Sequence, residues 1–220
     1  MRSRILEAYK NILTLNHVQQ EVLVGLMLGD GHLEYSATTH RARLKVEQQE
    51  KMKEYVEWLY TIFQPWIRGT IQTKVQSLKT TGRSYRKYYF TTYRHELMAQ
   101  YHQLFYKGKI KIVPHDIHDL LTPLGLAIWF MDDGSIKSHQ SKGRILNTHC
   151  FQLEEVETLC EVLGEKFNLQ AWPRYQKDGN QIYISGHSAE VLQNLIAQHV
   201  LPVMQYKLPY PLELTKVPKL

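Results

Sequence analysis

Two hydrophobic periods alternate along the chain, and their order is written twice. The stretch VQQEVLVGLMLG, ending at Gly29, is apolar on nearly every side, and Thr14 and Asn16 ahead of it can both cap a helix. It predicts a helix over 17–29 that is buried almost all round. In HRARLKVEQQ (40–49), Ala42, Leu44 and Val46 alternate with Arg41, Arg43, Lys45 and Glu47. A period of two predicts a strand with one buried face and one long, charged face. Met52, Val56, Leu59 and Phe63 fall at helical spacing within 50–63. Two more strands are expected at 69–78 and 84–92 around a Thr81-Gly82 turn, then a helix near 94–106.

The order recurs from 122. Thr122-Pro123 supplies a cap and a proline at the first helical position, opening a helix to about Met131. GRILNTHCF predicts a strand and 153–167 an amphipathic helix. Strands near 169–177 and 180–185 flank the hairpin signal Lys177-Asp178-Gly179-Asn180. A helix at 188–199 precedes a tail with Pro202, Pro209, Pro211 and Pro218. The repeated unit reads α-β-(α)-β-β-α. A repeat near half the chain predicts two fused lobes and not a solenoid. They are expected at 1–107, with a lead-in helix, and at 122–220, with 108–121 as linker.

Each opening helix stops at the same dipeptide. LVGLMLGDG ends at Gly31 and LAIWFMDDG at Gly134. Gly25 and Gly29 in one helix, and Gly125 and Ala127 in the other, are small enough to let two helices approach closely. Packing these helices together would bury both and bring Asp30 to Asp133. Neighbouring carboxylates repel unless a cation or a proton intervenes. Mg²⁺ takes carboxylate and water oxygens, and metal held there could activate water and stabilise a leaving 3′ oxygen on a phosphodiester. Asp-Gly after a helix is also an ordinary turn; its recurrence in matching halves favours function. Asp132 either supports Asp133 or simply ends the helix.

Composition narrows the classes. With 43% apolar and 22% charged residues among 220, the chain reads as soluble and globular. A net charge of +6 fits a polyanionic partner without requiring one. Cys150 and Cys160 form no Cys-x-x-Cys pair, which argues against a disulfide framework or zinc site and for a reducing compartment. The histidines are scattered, with no cluster at metal-ligand spacing. No apolar run approaches a membrane span. MRSRILEAYKNIL, which carries Glu7, reads as an amphipathic helix and not a secretory signal.

The two motifs resemble the paired signature of single-chain LAGLIDADG homing endonucleases. LTPLGLAIWFMDDGS, LNTHCF followed by LEEVETL, and the late MQYKLP extend the resemblance to the intron-encoded, two-motif branch, across most of 17–210. The first motif has Leu28 where the family name implies an acid, a departure that leaves Asp30 in register. The resemblance implies an α+β fold of two pseudo-twofold lobes, each an antiparallel sheet saddle on helices, with the motif helices at their interface. It implies a double-strand DNA endonuclease leaving a staggered break, working as a monomer with Mg²⁺, a site that Mn²⁺ or Ca²⁺ can also occupy. The family's metal-binding acids fall on Asp30 and Asp133, with the backbone carbonyls of Gly29 and Asp132 as further ligands. Its basic residues fall on Lys207 and Lys111, which could polarise the scissile phosphate or serve only as phosphate contacts or solvated lysines.

A strand ribbon with long polar side chains can enter the major groove, where every base pair shows a distinct pattern. The first half offers Arg41, Arg43, Lys45, Glu47, Gln49, Gln72, Lys74, Gln76, Arg83, Tyr85, Lys87 and Tyr89. The second offers Trp172, Arg174, Gln176, Gln181 and Tyr183. Any one of these could be an ordinary solvated strand residue; the recurrence of Arg, Lys and Gln favours DNA. Because the halves differ, the target is expected to be long and asymmetric. The rival readings are an intron-RNA maturase on the same scaffold, a DNA-binding regulator, which would usually add a helix-turn-helix, and an unrelated metal nuclease.

Overall fold

The computed structural model describes residues 2–77, 84–138 and 140–212. The chain divides into two compact units, Met1–Gly125 and Leu126–Leu220. In the first, α1 (Arg2–Asn11) leads to α2 (His17–Leu28). Asn16 closes a capping box on α2: its Oδ1 accepts from the Gln19 backbone at 2.9 Å, and Gln19 Oε1 accepts from Asn16 N at 3.1 Å. Every residue from Val22 to Leu28 is buried, as the apolar run predicts.

Asp30-Gly31 then turns the chain straight into β1 (His32–Ser36), a strand the patterning did not announce, which pairs antiparallel with β2 (Arg41–Gln49). The turn is tight: a Cβ on Gly31 would lie 2.6 Å from Leu26 Cβ. Glycine is required there by space. α3 (Lys53–Phe63) follows, then β3 (Gln72–Ser77), β4 (Ser84–Thr91) and α4 (Glu96–Phe105). The sheet order is β1-β2-β4-β3, all antiparallel. Leu44, Val46 and Phe90 face inward, onto helices that bury Val56, Leu59 and Phe63 from α3 and Met98 and Ala99 from α4. The segment expected to be a linker is built into this unit. It contains part of the hairpin of β5 (Tyr106–Lys107) and β6 (Ile110–Lys111), then α5 (Ile117–Leu120).

The division falls inside α6 (Pro123–Asp133), whose last residues belong to the second unit. There β7 (Gly134–Ile136) repeats the unannounced strand directly after Asp-Gly, and β8 (Arg144–Asn147) pairs with it. A Cβ on Gly134 would clash with the Phe130 carbonyl and ring, so this glycine is also demanded by space. α7 (Leu153–Phe167) opens on a Gln152/Glu155 capping box and closes on Asn168 at φ 54°, where asparagine tolerates the left-handed conformation. β9 (Ala171–Gln176), β10 (Gly179–Ile184) and α8 (Ala189–Ile196) complete the unit. Its sheet order, β7-β8-β10-β9, repeats that of the first unit. Pro173 is accommodated because β9 is an edge strand. Both units therefore follow α-β-β-α-β-β-α, one strand richer than the expected pattern. Among the described residues no helix is long and apolar enough to cross a membrane.

Candidate active site

In the first unit α2 ends at Leu28, Gly29 caps it, and Asp30 follows. Asp30 Oδ2 accepts a hydrogen bond from Gln48 Nε2 at 2.8 Å. The half-buried Lys111, on β6, donates from Nζ to the Gly29 carbonyl at 2.6 Å. In the second unit Asp133 is the last residue of α6, and its carbonyl accepts from Asn147 Nδ2 at 2.8 Å. The buried Lys207 Nζ donates to the carbonyls of Met131 at 2.5 Å and Asp132 at 3.2 Å. The arrangement is the same in both: a carboxylate at a helix C-terminus, with a lysine on the carbonyl just before it.

Helix physics explains one half of this arrangement and not the other. The last carbonyls of a helix lack intrahelical partners and carry the negative end of its dipole, so a lysine there is favourable. A carboxylate there is not, and two units placing one at the same point favours a chemical role. The carbonyls of Gly29 and Asp132, expected as metal ligands, are among those the lysines engage, with Met131 taking the shorter bond from Lys207; each oxygen keeps a second lone pair.

The donors fit a hard cation. They are carboxylate and carbonyl oxygens, and among the described residues no group of three or more His, Cys, Asp or Glu forms a closed cage. A divalent cation that keeps several waters and takes substrate phosphate oxygens suits such donors. The cysteines stand apart from this chemistry. Burial, with Glu157 and Glu161 nearby, pushes the Cys160 thiol up to about 12.

The strand candidates share outward faces. Register places Glu47 opposite Tyr89 and Tyr89 opposite Gln72; Gln49 faces Lys87, Lys87 faces Lys74, and Tyr85 faces Gln76. In the second unit Trp172 pairs with Tyr183 and Arg174 with Gln181; Gln176, two residues on from Arg174, has the same phase on β9. Arg83 lies outside the described residues. The basic face of the first unit is more ordered than alternation suggests. Arg41 pairs with Glu7 and Glu96, Arg43 with Glu34 at 2.6 Å, and Lys45 bridges Glu34 and Glu47. Lys74 and Lys87 reach Glu47 at 2.6 and 2.9 Å. The second face is aromatic: Trp172 meets Tyr183 edge-on at 5.1 Å, and Lys137 Nζ lies 4.4 Å from the Tyr183 ring.

Burial pushes the Glu47 carboxyl up, but Lys74, Lys87 and Lys45 outweigh it and bring it down from 4.5 to about 2. A depressed carboxyl contributes stability above its ordinary pKa and loses it as pH falls through the folded value. The urea midpoint of the protein should therefore drop between pH 4.5 and about 2. Glu47→Gln should flatten that part of the profile; equal slopes for both proteins would show that the three lysines do not hold the carboxylate in solution.

Two polar residues at the acids were missed by sequence reasoning. Gln48 shares the inward phase of Leu44 and Val46, so a polar group at an apolar position was the available signal. Asn147, at the end of a short strand, carried no comparable signal. Its Oδ1 accepts from Gln181 Nε2 at 2.7 Å, which ties the turn at Asp133 to the outward face.

Residues 20–192 match the model of the LAGLIDADG DNA endonuclease family. The probable intron-encoded endonuclease 1 of Wickerhamomyces canadensis is 30% identical over 212 residues, covering 94% of this chain and 90% of the relative. The cytochrome b mRNA maturase bI2 of Saccharomyces cerevisiae is 29% identical over 211 residues, covering 90% of this chain and 49% of that protein. The solved structure of the homing endonuclease I-WcaI bound to its DNA recognition sequence aligns with a TM-score of 0.87 at 28% identity, covering 92% of this chain and 91% of that one. The chain belongs to the LAGLIDADG DNA endonuclease family.

Proposed function

We propose that this protein is a site-specific homing endonuclease that hydrolyses both strands of a long, asymmetric duplex and leaves a staggered break. The observation that carries the reading is the duplicated arrangement of Asp30 with Lys111 and Asp133 with Lys207, inside a family of DNA endonucleases. The family uses a divalent metal; here we assign Mg²⁺, with Mn²⁺ or Ca²⁺ able to occupy the same donors: Asp30 and the Gly29 carbonyl in the first unit, Asp133 and the Asp132 carbonyl in the second. A bound divalent cation supplies charge neutralisation at the scissile phosphate and a more acidic water. Gln48 holds Asp30 in one orientation. Lys111 and Lys207 bring positive charge to the same ends of the helices, where a phosphodiester gains negative charge during hydrolysis. The outward faces of the two sheets bind the duplex, phosphate contacts positioning it and base contacts specifying it. Their different chemistry, ionic in one unit and aromatic in the other, supports an asymmetric target read by a single chain.

A second reading, maturase activity on intron RNA, is favoured by the similarity to the yeast maturase. The test is selection of duplexes from a randomised library, followed by incubation of a plasmid carrying a selected sequence with protein and Mg²⁺. Linearisation that EDTA stops is expected. Retention of a duplex without cleavage, alongside binding of intron RNA, would move the assignment to the maturase.

A further inference from the structure

A buried cation in the second unit stands where the first unit has a leucine. Three residues after Asp30, Leu33 pairs with Leu44; three residues after Asp133, Ile136 pairs with Arg144. Leu44 is fully buried, and Arg144 is only 4% exposed. A leucine would fill such a position at no electrostatic cost, whereas a guanidinium there must be fully hydrogen-bonded.

Among the described residues the Arg144 side chain donates to backbone carbonyls alone, and these come from two separated segments. Nε donates to Lys207 O at 2.6 Å and Nη2 to Leu208 O at 2.5 Å. Nη1 donates to Gly143 O at 2.9 Å, Lys142 O at 3.1 Å and Ser141 O at 3.4 Å. The fork thus ties the end of the Pro202–Lys207 turn to the loop before β8. That loop has little room to yield: a Cβ on Gly143 would lie 2.6 Å from the Tyr183 hydroxyl, and one on Gly186 3.3 Å from Gly143 N.

Lys207 is held at both ends. Its carbonyl belongs to Arg144, and its ammonium lies on Met131 and Asp132, beside Asp133. Lys111 reaches the equivalent carbonyl in the first unit from a strand, because β6 pairs with β5. Lys207 sits on a 3₁₀ turn outside the sheets. We propose that Arg144 is a positioning residue for cleavage, fixing the Lys207 backbone so that its ammonium stays at the C-terminal end of α6. The inference rests on Lys207 acting in cleavage, as proposed above, and predicts a defect confined to one of the two phosphodiesters.

The experiment uses Arg144→Met, Arg144→Lys, Lys207→Met and the Arg144→Met/Lys207→Met double variant of the full chain. Each is tested on a plasmid carrying a selected duplex in single-turnover cleavage, with the two strands resolved. Arg144→Met should slow one strand by up to about 100-fold, the scale of a displacement of about 1 Å, and accumulate nicked circles. Arg144→Lys, which keeps the charge but loses the fork, should show the same strand bias to a smaller degree. Affinity for the duplex without metal should be unchanged. In the double variant, Arg144→Met should add no further slowing beyond Lys207→Met, because both act through one group. The ratio of the two strand rates is independent of how much protein is folded, so a partly unfolded variant still reports. Equal slowing of both strands, or additive effects in the double variant, would overturn the proposal. A wild-type protein that fails to cleave would instead reject the endonuclease reading.

Discussion

Asparagine in place of either Asp30 or Asp133 is expected to lower double-strand cleavage by at least about 1,000-fold. Metal assistance to phosphodiester hydrolysis is worth several kcal/mol, and each 1.4 kcal/mol is about one decade in rate. The substitution is nearly isosteric and removes only charge. At position 30 the amide oxygen can still accept from Gln48, and at position 133 the bond to Asn147 uses the main-chain carbonyl, which is untouched. The fold and the duplex-binding faces should therefore survive. Both variants should also melt at slightly higher temperature, since each removes a negative charge from the unfavourable end of a helix. The combination is diagnostic: cleavage lost, metal-free duplex affinity retained, stability equal or raised. Full linearisation of a target plasmid by either variant would reject the assignment of that acid.

Lys207→Met should slow single-turnover cleavage by about 100-fold or more, the scale seen when one donor to a developing oxyanion is removed. Duplex affinity should change little, because the buried ammonium is turned towards the α6 carbonyls and not towards the outward strand face. A structural role alone makes a different prediction. Loss of a cation capping two carbonyls would cost stability, about 1–3 kcal/mol for buried acceptors left unsatisfied, and leave the rate of folded protein intact. Thermal unfolding and single-turnover rates of the same preparation separate the two. An unchanged rate would reduce Lys207 to a helix cap. The comparison with Lys111→Met is informative because Lys111 is less buried and supported by a strand pair.

The lysine ladder on the first sheet has a consequence for how DNA meets this surface. Lys45, Lys74 and Lys87 are not independent charges, since all three converge on Glu47. Their positions are set before any duplex arrives. The positive field they offer is also smaller than their number suggests, because one carboxylate, brought down to about 2, remains ionised among them. The second face has no arginine or lysine on β10 and offers Trp172, Tyr183 and Gln181 beside Arg174.

Much of this protein was legible along the chain because it depends on local periodicity. The period of two in RARLKVEQQ placed Glu47 on the outer face and Leu44 on the inner one, and the register agrees. The apolar runs ending in Asp-Gly marked the two buried helices, and duplication singled out Asp30 and Asp133. What the chain could not disclose depends on residues far apart in sequence. β1 and β7 are too short to show a period, and only pairing with β2 and β8 makes them strands. The glycine of each Asp-Gly reads as a turn former, but its cause is steric: a side chain there would strike Leu26 or Phe130. Gln48 becomes a partner of Asp30 only when the end of β2 returns to the end of α2. Arg144 was not singled out along the chain; it becomes a tie only when the tail brings Lys207 and Leu208 back to it. Sequence determined which residues carry charge and which must be buried; the tertiary structure decided which charges meet, because burial follows local pattern whereas a hydrogen bond follows the return of the chain.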